Sequence, residues 1–292
     1  MLGNIFLLLV LIFGKEINGT RAWFSFKFIS FQPSEIMKFY LLLLLSSYTS
    51  KLNNIKIKNV LIMLLIVIIP GVLTFLEPDT GAVIMYFLIF IGVLMASKLK
   101  KIYLIYFLIG IVLLLSGIFI IYFLDKSLFI KIFSSNMFYR MERILDFKTQ
   151  TGYQIENALI SITNSGYLGY GISNHPIYFP EAPTDFVFDL TISSFGILTG
   201  ILVVIVYLLL IFNNFKIYES IDSYENKLFV FGFLIMFIIN IFYNILMNIG
   251  LLPIMGITLP FISYGGSSII VNFIILGLIS GLNKKRIKSF LS

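Results

Sequence analysis

Residues Ile102 to Leu124 read IYLIYFLIGIVLLLSGIFIIYFL, a run without one charged side chain. A bilayer core about 30 Å thick is crossed by ~20 consecutive apolar residues in an α-helix. Hydrocarbon offers no water to backbone amides, so a run of this kind is expected to satisfy them internally as a helix. Upstream, NVLIMLLIVIIPGVLTFL (Asn59–Leu76) repeats the pattern. Carried along the chain, the criterion gives about eight spans. They are Leu2–Phe13, Ile36–Tyr48, Val60–Leu76, Ala82–Ala96, Ile102–Leu124, Phe186–Phe212, Leu228–Ile249 and Phe261–Leu282. The expected fold class is all-α, a polytopic membrane protein whose single integral domain covers residues 1–292. The first run is short for a crossing, as in a chain that begins part-way into a larger fold. It lacks a basic leader and a small-residue cleavage site, so a signal peptide is not expected.

Composition agrees. The chain is 59% hydrophobic and 12% charged, too greasy to give a soluble domain its surface. Cysteine is absent, which excludes a disulfide framework, a thiolate nucleophile and a cysteine zinc site. His175 stands alone, so no histidine cluster can hold a metal. The net charge of +7 points to membrane topology rather than to nucleic acid. Lysines gather in Lys51–Lys58, Lys98–Lys101 and the tail Asn283–Lys288. With alternating spans these share one side, which the positive-inside rule makes cytoplasmic, and the tail suits anionic lipid headgroups. The other loops then face outward, among them a long one over about 125–185. Within it, Ile155, Ala158, Leu159 and Ile162 recur at helical spacing, so Tyr153–Gly166 is expected to be an amphipathic surface helix. No strand pattern is evident.

Ionisable groups at membrane depth are costly and are candidates for function. Asp185 heads an apolar run in PEAPTDFVFD (Pro180–Asp189). Thr184 as N-cap with an acid in the first turn would explain it, and so would chemistry; the residue types leave both open. Asp189, one turn deeper, needs a partner or a wet cavity. In FQPSEIMK, Pro33 suits a helix start, and Glu35 and Lys38 fit an ordinary ion pair on one face. In EPDTG, Asp79 fits a cap for the next helix. Arg140 and Arg143, with Lys148, suit a lipid-linked phosphate or pyrophosphate, or simply headgroups. LPFISYGGSS (Leu259–Ser268) offers small residues for close packing or for unwound backbone lining a cavity. Hydrolase, ATPase and dehydrogenase motifs are not present.

In order and in register, NGTRAWFSFKFISFQPSEIMK, EPDTG, RILDF…GYQIENALISI, YFPEAPTDFVF and NIGLLPIMGITLPFISYGGSS resemble the SEDS family (shape, elongation, division and sporulation), whose members include RodA, FtsW and SpoVE. The last stretch looks slightly closer to RodA. The resemblance covers essentially the whole chain; the family usually has ten spans, so this chain is expected to lack the first two. It implies a peptidoglycan glycosyltransferase that polymerises lipid II into glycan strands at the outer face of the bacterial cytoplasmic membrane, for elongation or division. It also implies a class B penicillin-binding protein transpeptidase as partner, beside lipid II, the nascent strand and membrane lipids, with no nucleic acid. Asp185 matches the family's essential acid. Pro183 stands where a histidine is common, Ser193 and Ser194 replace paired glutamates, and Thr163–Gly166 reads TNSG for GSGG.

Asp185 is therefore expected to act as general base on the acceptor hydroxyl. The substrate-binding set expected around it is Arg140, Arg143, Lys38, Glu35, Asp79, Glu181, Thr184, Tyr153, Gln154 and Ser263. A divalent cation could assist, although the residues show no ligand set for it. Two readings of other classes compete: a lipid II flippase and an inactive scaffold for the transpeptidase. A flippase needs polar groups along a path through the membrane, whereas a polymerase needs its acid at the mouth.

Overall fold

Apolar runs with nowhere else to place their amides become helices, and the computed structural model shows them as such. It describes residues 2–17, 20–25, 30–133, 135–145, 153–171 and 181–291. Among the described residues, helices follow the expected order: α1 (Leu2–Phe13), α2 (Pro33–Ser50), α3 (Ile57–Leu76), α4 (Thr80–Ala96), α5 (Lys101–Leu124), the pair α9 (Val187–Phe195) and α10 (Ile197–Ser220), α11 (Tyr224–Asn248) and α12 (Gly266–Leu291). Of these, α3, α5, α10 and α11 are long and apolar enough to cross a membrane, and α1, α4 and the apolar part of α12 are shorter apolar helices. Between α5 and α9 lie α6 (Lys126–Phe133), α7 (Ser135–Leu145) and α8 (Tyr153–Ser165). Helix α8 is the expected amphipathic helix, with Ile155 and Ala158 buried against Phe186.

Of the apolar window in α11, 61% is buried, against 0% in α5. Helix α11 is thus the axis of the bundle, and α5 shows most of its surface to lipid. Helices α4 and α11 approach closely where Gly92 faces Gly232. A Cβ built on Gly92 would sit 2.9 Å from the Gly232 Cα, so both positions must stay bare for the backbones to meet. Helices α6 and α7 fold back beside the end of α5, where Tyr122 stacks on Phe138 and meets Phe129 edge-on, and the Lys126 ammonium lies 3.6 Å from Glu142.

Three features depart from the sequence reading. The segment before α2 holds a small antiparallel sheet of β1 (Lys15–Ile17), β2 (Thr20–Ser25) and β3 (Ser30–Phe31). Strands β1 and β3 are too short to show an alternating pattern, and β2 (TRAWFS) does not alternate apolar with polar. The span read as Phe186–Phe212 breaks at Gly196, whose φ of +85° and close approach to the Tyr167 carbonyl admit only glycine. The last crossing begins at Gly266 rather than Phe261, because 251–265 is not helical. LPFISYG (Leu259–Gly265) is thus unwound backbone, as one of the two expectations had it, rather than the start of the span.

Candidate active site

Within its apolar sequence, α11 carries Asn240, Asn244 and Asn248, spaced by four and so on one face. That face meets the turn leading into α9. The Nδ2 groups of Asn244 and Asn248 both donate to the Asp185 carbonyl, each at 2.9 Å. The Thr184 carbonyl accepts from Ser263 Oγ at 2.6 Å, and the Pro183 carbonyl from the Tyr264 N–H at 2.8 Å. Ser263 Oγ is itself fixed by the Leu259 N–H at 2.7 Å. Three successive carbonyls are therefore pinned from α11 and the unwound strap before α12. Each such bond is worth about 0.5–1.5 kcal/mol net. Together they hold two non-glycine residues in the left-handed region, Glu181 at φ +58° and Phe261 at φ +69°. Among the described residues, no hydrogen bond reaches the Asp185 carboxylate, which stays half-buried at the mouth.

The opposite wall comes from α2 and the turn before α4. Asp79 caps α4 through the Ala82 N–H at 2.9 Å, and its second oxygen accepts from Gln32 Nε2 at 2.9 Å and Ser34 Oγ at 3.1 Å. Pro33 opens α2, as expected, since its missing N–H costs nothing there. One turn on, the Lys38 ammonium lies 2.7 Å from both oxygens of Glu35, and both residues are buried. Beneath Asp79, the Tyr86 hydroxyl donates to the Ser34 carbonyl at 2.9 Å. Glu77 is fully buried, and neither carboxyl oxygen has a partner among the described residues.

The two walls sense each other electrically. Burial first, then the nearby Glu181 and Asp79 charges, push the Asp185 carboxyl up to about 7. Burial also raises Asp79, with Glu35 adding to the rise while the Ala82 N–H, Lys38 and Ser34 oppose it. Glu77 is pushed up to about 8 by burial and by Asp79. An acid poised near neutrality in a cleft is suited to taking up a proton at working pH. A Cβ on Gly256 would lie 3.9 Å from Asp185 Oδ2, so the strap also borders the carboxylate.

Residues 1–288 match the FtsW/RodA/SpoVE family of cell cycle proteins. The chain belongs to this family. Among curated members, it is 31% identical to the "Probable peptidoglycan glycosyltransferase FtsW" of Coxiella burnetii, over 96% of this chain and 76% of that one. It is 33% identical to the protein of the same name from Buchnera aphidicola subsp. Schizaphis graminum, over 92% and 76%. Among solved structures, a chain of a peptidoglycan synthase complex coordinating polymerization and crosslinking superposes with a TM-score of 0.80, at 25% identity over 98% of this chain and 79% of that one. The rod shape determining protein RodA of Thermus thermophilus gives 0.66, at 25% identity over 95% and 74%. Sequence relatives carry the FtsW name and a structural neighbour is RodA, so membership rests on what the two share.

Set against this FtsW/RodA/SpoVE chain, the sequence expectations sort by side chain. Asp185, Glu181, Thr184 and Ser263 share one turn and its strap, while Glu35, Lys38 and Asp79 share the facing wall. Thr184 is not an N-cap: Phe186 holds that place without a side-chain bond, and the Thr184 hydroxyl turns to Glu181 Oε2 at 2.8 Å. Capping therefore does not account for Asp185. The Glu35–Lys38 ion pair and the Asp79 cap are present as read, and the Lys38 charge is committed to Glu35. Arg140 and Arg143 lie on α7, and Tyr153 opens α8, but their side chains fall outside the described residues, as do Lys148 and His175. Gln154 is part-buried on α8. Asp189 is wholly buried, with both oxygens unpartnered among the described residues. Asn244, Asn248 and Gln32 were missed. Their signal was polar residues at four-residue spacing in an apolar helix, and an amide just before a proline helix start. Among the described residues, no group of three or more metal-ligating side chains comes together, so no step is assigned to a cation.

Proposed function

We propose that this chain is a peptidoglycan glycosyltransferase polymerising lipid II, with Asp185 as its general base. The observation that carries the reading is the combination at Asp185: backbone locked by Asn244, Asn248 and its neighbours' bonds, with a partly exposed carboxylate that no hydrogen bond reaches among the described residues. In the reaction, a sugar hydroxyl of the acceptor attacks the anomeric carbon of the donor. Asp185 takes the hydroxyl proton as the new C–O bond forms. The bond to undecaprenyl pyrophosphate breaks, and that group departs with the bonding electron pair, needing no proton of its own. Single displacement inverts the anomeric centre, by analogy with inverting glycosidases. A positioned base of this kind contributes roughly 10²–10⁴-fold.

Arg140 and Arg143 are proposed to neutralise the departing pyrophosphate, for which their forked donors are suited. With Lys38 neutralised by Glu35, that buried pair is assigned to shaping the wall. A class B transpeptidase is the proposed partner, in keeping with the synthase complex to which the fold is similar. The site is proposed to face outward from the bacterial cytoplasmic membrane. Supporting this, the Lys51–Lys58 and Lys98–Lys101 loops lie at the helix ends opposite Asp185.

The test is the purified full chain, with and without a class B partner, given labelled lipid II and resolved for glycan products. Polymer from the wild-type chain supports the reading. Transbilayer movement of lipid II in vesicles without polymer would replace it with the flippase.

A further inference from the structure

The strap that pins the Asp185 turn turns its aromatic residues in opposite directions. Phe261 points into the protein, its ring 5.0 Å from Phe273 and 6.0 Å from Phe237. Tyr207 and Tyr243 hold the strap from below, donating their hydroxyls to the Pro260 and Pro253 carbonyls. Tyr264 does the reverse. Its backbone N–H is fixed on Pro183 at 2.8 Å, yet its side chain is 81% exposed, the most open aromatic among the described residues. Its immediate neighbour Ser263 holds Thr184. A bare phenol ring thus stands on rigid backbone, beside the turn that carries the carboxylate.

We infer that Tyr264 is a stacking platform for a pyranose ring of the glycan substrate, setting where the sugar lies relative to Asp185. A pyranose carries its hydroxyls at the rim and a patch of C–H groups on its face. An aromatic ring removes that patch from water, and its negative π-face attracts the slightly positive C–H hydrogens. The hydroxyl groups stay free for solvent and for the base. The ring's mobility is limited to two torsions on a fixed backbone, so little entropy is lost on binding. The competing use of an exposed tyrosine is as an anchor at the membrane interface. An anchor answers to lipid and is indifferent to sugar.

The inference rests on the glycosyltransferase reading, and the experiment separates the two. Polymerisation kinetics are measured on the full chain for wild type and for Tyr264→Phe, Tyr264→Trp and Tyr264→Leu, with Tm recorded for each. In parallel, saturation-transfer NMR follows a soluble β-1,4-linked N-acetylglucosamine disaccharide, which reports binding whether or not polymer forms. The platform predicts wild-type KM in the Phe and Trp variants and about a tenfold rise in KM for Leu, with kcat changing far less. Transfer to the C–H protons of the sugar face is then lost in Leu alone. Wild-type KM and transfer in Tyr264→Leu overturn it, as does a Phe variant as poor as Leu. A wild-type chain without polymer but with sugar transfer lost in Leu removes the enzyme and keeps the platform.

Discussion

Asn248 ties together the two ends of one helical turn: its Nδ2 donates to the Asp185 carbonyl at 2.9 Å, while its Oδ1 accepts the Asp189 N–H at 3.2 Å. One amide thus sets the start of α9, and with it the direction of the Asp185 side chain. Removing it in Asn248→Ala leaves the Asp189 N–H without its side-chain acceptor and the Asp185 carbonyl held by Asn244 alone, at a cost of about 1–3 kcal/mol. A displacement near 1 Å at the base is expected to lower kcat about 10²-fold. The pH midpoint should stay in place, because Asn248 carries no charge. Kinetics across pH, with Tm measured in parallel, check both halves.

The Glu35–Lys38 pair is buried, so its halves cannot be removed separately without penalty. Lys38→Met leaves a buried carboxylate alone and is expected to cost about 3–5 kcal/mol. The double change Glu35→Gln with Lys38→Met should recover most of that loss. A double-mutant cycle by thermal unfolding in detergent gives the coupling.

Activity should rise with pH. Asp185 must be ionised to take a proton, and its carboxyl is held at about 7. Below that value kcat/KM is expected to fall about tenfold per pH unit, with a plateau above it. Glu181 is the larger of the two charges that raise Asp185, so Glu181→Gln should move the midpoint down. A flat profile between about pH 5 and pH 9 would detach Asp185 from proton transfer.

Stability should move the opposite way. Glu77 is raised from 4.5 to about 8 in the folded chain, so between those values the folded state binds more protons than the unfolded one. The sign follows: stability declines as pH rises through this window and levels off above about 8. Glu77→Gln removes the ionisation, so its Tm should exceed wild type at high pH while matching it near about pH 5. Equal slopes in the two proteins would show that Glu77 is not the group responsible.

The helices were readable because hydropathy is a property of each run by itself. Helix α8 was readable too, since Ile155, Ala158, Leu159 and Ile162 keep one period. The strap at 251–265 and the break at Gly196 depend on contacts made elsewhere: Ser263 on Thr184, and Gly196 against Tyr167. No local pattern reports such partners. The site divides in the same way. Asp185, Glu35, Lys38 and Asp79 stood out as charges in apolar surroundings. Asn244 and Asn248 are neutral and far from Asp185 in the chain, and their role emerges only once α11 lies beside the turn. The strands β1 and β3 escaped because two or three residues cannot display an alternation, and β2 because TRAWFS does not alternate apolar with polar.

The central claim is that the Asp185 carboxylate accepts the proton of the attacking hydroxyl, and isosteric removal of its charge tests this most directly. Single-turnover polymerisation of labelled lipid II by Asp185→Asn should fall by roughly 10²–10⁴-fold, with Tm and lipid II binding close to wild type. An Asp185→Asn chain that polymerises at the wild-type rate would contradict the account.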